Sequence, residues 1–144
     1  MDHANEQAYL AECVTLIPEQ IQEEFTRLSA DMAYWGQRYA DAYRLALDTE
    51  MERKRVYGQR FFDLAVELEV SSKKGKAPTA DERKHAVEFD VAYLAARSRE
   101  NRAEAEKIRL YGVLDAIKAK RDMLISLAAQ QRAEREVSKY GERE

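Results

Sequence analysis

The chain has 144 residues, 45% hydrophobic and 35% charged, with a formal net charge of −3. Alanine supplies much of the apolar share, which suits solvated helices better than a thick core. Its single cysteine excludes a disulfide framework or a thiolate metal cluster, and no apolar run approaches the ~18 residues needed to span a membrane.

One helical domain is expected at this length. The start, Met1-Asp2-His3-Ala4-Asn5-Glu6, has neither the basic residues nor the apolar core of a signal peptide, so a cytoplasmic protein is expected. Residues 1–28 form an acidic N-terminal segment: a short helix over about Asn5–Leu16, then a second opening at Pro18, where a missing N–H is tolerated. Leu28-Ser29 is a plausible joint.

From about residue 30 to 70 there is no proline, and the pattern predicts one long helix. Leu28, Met32, Trp35, Tyr39, Ala42 and Ala46 alternate in steps of four and three. The same steps continue through Thr49, Arg53, Val56 and Arg60, so this stripe turns from apolar to cationic. A second stripe, Tyr43, Leu47, Met51, Phe61, Leu64 and Leu68, predicts burial on more than one side.

Residues 71–79, Ser-Ser-Lys-Lys-Gly-Lys-Ala-Pro-Thr, read as a basic loop. Thr79 with Glu82 forms a capping box and starts a short helix to about Glu88. Asp90 can cap anew, and a last helix follows from about Val91 to Ser138. Its stretch 97–107 has no large apolar side chain and must be solvated or face other subunits. The fold expected is all-α: two long helices in an antiparallel hairpin, with short N-terminal helices and a short helix after the basic loop (residues 80–138 holding that helix and the last one). Narrow apolar stripes on long helices require a partner surface. A homo-oligomer is therefore expected, with the apolar face Ile108, Leu110, Leu114, Ile117, Leu124 and Leu127 carrying it.

Catalytic constellations are missing. His3 and His85 have no metal-ligand spacing, Gly75-Lys76 lacks the phosphate-loop glycine upstream, and Cys13 reads as a small buried hydrophobe. A non-enzymatic protein without a cofactor is expected.

Charge is unevenly placed. Residues 1–52 carry 3 basic and 11 acidic side chains, a balance of −8, whereas residues 53–76 carry 7 and 3, a balance of +4. Within the latter, Arg53, Lys54, Tyr57 and Arg60 lie at helical spacing. Cations that neutralise phosphates beside rings that stack on bases are what a single-stranded nucleic acid requires. Lys73, Lys74 and Lys76 extend the basic track into the loop, and Gly58, unfavourable in mid-helix, marks a close approach by another backbone. Lys118, Lys120 and Arg121 form a second basic cluster.

The order of features resembles the UvsY recombination mediators of tailed phages over roughly residues 30–136. It is carried by Tyr34-Trp35, by Glu50, Arg53, Lys54 and Arg60, by the basic loop at 71–78, and by Leu114-Asp115-Ala116-Ile117-Lys118 with Lys120-Arg121. The resemblance implies an all-helical subunit that closes into a ring-like homo-oligomer. It also implies binding to single-stranded DNA, remodelling of single-strand-binding protein and help in loading a RecA-like recombinase. The family's Lys-x-Arg DNA-binding pair falls on Gly58 and Arg60, so its lysine is missing here, and Arg53, Lys54 or the loop lysines must supply that charge. The alternative is a helical scaffold or protein-interaction adaptor of a phage with no nucleic-acid role.

Overall fold

The computed structural model describes residues 3–72 and 76–141, and the fold is all-α. Helix α1 spans His3–Val14; a single 3₁₀ turn at Pro18–Gln20 leads into α2, Ile21–Ser71; α3 spans Ala80–Glu88 and α4 spans Val91–Gly141. The joint expected at Leu28-Ser29 is absent, because α2 runs through it unbroken. Leu28 sits in the core and Ser29 faces solvent, and with no proline or glycine there nothing interrupts the backbone ladder.

The chain forms two compact units. The first comprises residues 1–39 and 109–144. Here the first turns of α2 pack against the second half of α4, with α1 laid on both. Cys13, Ile21, Leu28, Trp35, Leu110, Val113, Ile117 and Leu124 are buried together. Trp35 is fully buried; its indole N–H donates to Cys13 Sγ at 3.5 Å, and Tyr9 stacks on it with ring centroids 6.0 Å apart. Polar contacts complete the docking of α1. Tyr9 donates to Asp31 at 2.7 Å, and the buried carboxylate of Glu6 meets Arg38 at 2.8 Å and Arg109 at 3.5 Å. The Lys120 ammonium pairs with Glu24 out of solvent and donates to the Glu12 carbonyl at 3.4 Å. Burial pushes the Cys13 thiol above its ordinary pKa, so the sulfur is an unreactive core atom.

The second unit, residues 40–108, contains the antiparallel hairpin of α2 and α4, joined through α3. Its core is thin: Ala42, Ala46, Val87, Ala96 and Ala103 are buried. Alanine at these positions lets the two helices approach closely but gives little apolar area. The stripe read from Leu28 to Ala46 faces inward as expected. The second stripe does so only in part: Tyr43, Leu47 and Met51 are exposed, whereas Phe61, Leu64 and Leu68 are half-buried. Gly58 has nothing within 4 Å of where a Cβ would stand, so its cost of about 1 kcal/mol against alanine brings no packing benefit within the chain.

The start of α3 is built as its sequence dictates. Thr79 accepts from the Glu82 N–H at 3.3 Å, and the Glu82 carboxylate accepts from the Thr79 N–H at 2.7 Å. Thr79→Ala is expected to lower stability by about 1 kcal/mol in urea denaturation. Val87 holds the helix to the hairpin, and Arg83 lies over the Phe61 ring at 4.7 Å. Asp90 then caps α4, accepting from the N–H groups of Ala92 at 3.0 Å and Tyr93 at 3.1 Å.

Candidate nucleic-acid interface

The cations expected to meet phosphates lie in the second unit, and two of them point inward. Arg53 continues the inward stripe of α2 and pairs with Glu100 of α4. Arg60, two steps further along that stripe, binds Asp90 at 2.9 Å and reaches Glu67 and Asp63 at 3.4 and 3.5 Å. Both arginine side chains are about three-quarters covered. Arg60 therefore clamps the turn that starts α4, since the carboxylate it holds is also that helix's cap. Tyr57 is engaged as well: its ring stacks on Phe61 at 6.2 Å and meets Tyr93 edge-on at 5.6 Å. These three residues, expected as an open binding face, form the side-chain layer between the helices of the hairpin.

The Arg60 guanidinium, aided by the Tyr93 and Ala92 N–H groups, holds the Asp90 carboxyl below its ordinary value against the opposing effect of burial. A depressed folded-state value means that this contribution to stability is complete above about pH 4, the ordinary aspartate value, and is lost as pH falls through the lower folded value. Asp90→Asn, which keeps a capping side chain, is expected to flatten acid unfolding below that pH, measured by ellipticity against pH.

The remaining expected cations are distributed differently. Lys54 is exposed and pairs with Glu50 at 2.6 Å along the helix, holding that carboxyl below its usual range. Lys76 is exposed; Lys73 and Lys74 lie outside the described residues. In the first unit the second basic cluster dissolves into separate pairs. Lys120 is buried with Glu24, Lys118 lies 3.6 Å from Asp115, and Arg121 lies 2.9 Å from Asp122.

The apolar residues expected to carry self-association are also redistributed. Leu110, Ile117 and Leu124 are spent on the first unit's own core, where α1 and α2 cover them, so they are corrected to core residues. Leu114 and Leu127 are half-buried in that unit; Ile108, in the second unit, stays 62% exposed.

One basic feature did not emerge from the sequence reading. Arg97, Arg99 and Arg102 on α4 are exposed and none closes a salt bridge among the described residues, although Arg99, after Arg55, helps hold the Glu52 carboxyl below its ordinary value. Arg99 and Arg102, three apart, share one side of the helix. Arg97 lies on the other side, where it lines an open cleft of about 480 Å³ with Tyr43, Leu47, Asn101 and Lys107 and with the carboxylates of Glu50, Glu100 and Glu104. The available signal was their density within a stretch lacking large apolar residues, while Ala96 and Ala103 mark the buried side. Arg55, by contrast, is tied to Glu52 through two hydrogen bonds of 2.8 Å.

Among the described residues there is no group of three His, Cys, Asp or Glu side chains placed to hold a metal ion, and no helix is long and apolar enough to cross a membrane. Comparison with models of known families, with curated proteins and with solved structures finds no match.

Proposed function

We propose that the chain is a non-enzymatic, self-associating mediator that binds single-stranded DNA in the bacterial cytoplasm. It helps load a RecA-like recombinase onto strands coated by single-strand-binding protein, the role its resemblance implies. The observation that supports DNA binding most is the set Arg97, Arg99 and Arg102, exposed and outside any salt bridge among the described residues. They are available to phosphates where Arg53 and Arg60 are not. Lys54 and Lys76 add exposed charge in the same unit. Self-association is supported by the large apolar side chains left open in that unit, among them Met51, Phe62, Val66 and Val70.

A second reading, a helical scaffold or adaptor with no nucleic-acid role, is favoured by the capture of Arg53 and Arg60 in intrachain ion pairs. The two separate on binding of a labelled oligothymidylate across a salt series. A mediator binds at low salt and loses affinity with a logarithmic slope of about −0.7 per phosphate contact. A flat response at low salt selects the scaffold.

A further inference from the structure

Along the second unit, an exposed strip of α2 starts at Leu47, on the rim of the cleft shared with α4, and continues through Met51, Arg55, Phe62, Val66 and Val70, with Gly58 midway along it. Met51 and Phe62 are each 69% exposed, Val66 63% and Val70 80%. The order is a palindrome about the Gly58–Gln59 bond. Reversing the helix brings Phe62 onto Arg55, Val66 onto Met51 and Val70 onto Leu47. Each set of three follows a step of four, so its members line one side of the helix.

We propose that this face binds the same face of a second copy, the two α2 helices running antiparallel across a two-fold axis at Gly58. Three observations favour a copy over a foreign partner. Self-complementarity of this kind is what a two-fold interface requires, since each residue meets the partner of its own partner. The absent side chain at Gly58, open within the chain, lets two backbones close at the crossing. Arg55, placed opposite Phe62, brings a guanidinium to a ring face, an attractive pair that appears twice. The exposed apolar side chains offer on the order of 600 Å² per copy, approaching the ~800 Å² per partner of a standard stable interface. Arg99 and Arg102 lie on the other helix of the hairpin and do not enter this contact.

This inference deepens the self-association proposed above, and the test separates the two. Sedimentation of the full-length protein is expected to give a dimer or an even multiple of the chain mass. Phe62→Glu with Val66→Glu is expected to halve that mass at unchanged helicity, and Gly58→Leu, which meets open space in the single chain, is expected to do the same. Under mild oxidation Gly58→Cys is expected to form a disulfide-linked dimer, whereas Val70→Cys, set against Leu47 of the other copy, is not; wild type, whose Cys13 is buried, is the control. A monomeric wild type overturns both self-association and the two-fold. An assembled wild type whose mass is untouched by the Phe62 and Val66 changes, or a Val70→Cys variant that links to itself, overturns the two-fold alone.

Discussion

Lys120→Ala is expected to destabilise the protein by about 3–5 kcal/mol, because it strips the partner from a carboxylate that is itself almost wholly buried. The side chains of Lys120 and Glu24 are 4% and 6% exposed. Taking both charges out of solvent is expensive, and their attraction offsets that expense only while both are present. Replacing both, Glu24→Leu with Lys120→Met, is expected to recover most of the loss, since an apolar pair of similar size carries no desolvation penalty. Urea denaturation of the two single variants and the double variant measures this coupling. Simple addition of the single losses in the double variant would show that the pair is hydrated.

Trp35→Ala is expected to cost about 3–5 kcal/mol in the same measurement. Among the described residues no other side chain of its size is fully buried, and its removal leaves a cavity where α1, α2 and α4 meet. The Tyr9 and Tyr34 rings, packed at 6.0 and 5.2 Å from it, lose their common neighbour. Trp35→Phe is expected to cost much less, forfeiting the hydrogen bond to Cys13 and part of the area. As the chain's sole tryptophan, Trp35 also reports the transition directly, with emission moving to the red as the first unit opens.

Local chemistry made several elements readable. The capping box at Thr79, the fresh cap at Asp90 and the proline opening at Pro18 each depend on residues within one turn, and all three stand where the sequence places them. The stripe Leu28, Trp35, Ala42, Ala46 was readable because helical periodicity alone brings its members to one face. The same periodicity, followed without regard to side-chain type, also turns Arg53 and Arg60 inward. Their charge suggested solvent, whereas their position in the seam dictated burial, and position prevailed because each found a carboxylate across the hairpin. Those carboxylates, Glu100 and Asp90, are 47 and 30 residues away in the chain. Only the register of the two helices could reveal them.

The self-association residues show the converse. Leu110, Ile117 and Leu124 form an unmistakable apolar face in sequence, but a face seen without its partner does not reveal whether that partner is the same chain or another. The acidic N-terminal segment supplied the missing information: α1 and the start of α2 cover those leucines and the isoleucine. On the outward side of α2 the heptad pattern reaches Leu47 and Met51 but not Phe62, Val66 and Val70, because Arg55 and Gly58 interrupt it. The cations of α4 carry no distinguishing signal in sequence, because charged residues on a solvated stretch are the commonest pattern in any long helix. Arg97, Arg99 and Arg102 stand out because three exposed arginines outside any salt bridge cluster within six residues of one helix, which only the folded chain reveals.

Binding of a labelled oligothymidylate to wild type, to Arg60→Gln and to Arg99→Ala with Arg102→Ala, compared at one low salt concentration and then across a salt series, tests where DNA is held. Wild type is expected to bind, and Arg60→Gln, although less stable, to bind as wild type does at a temperature where it is folded. The double variant is expected to lose about tenfold or more, with a salt slope shallower by about 0.7 for each arginine removed. Loss of binding in Arg60→Gln with full retention in the double variant, or no binding by wild type, would contradict the assignment.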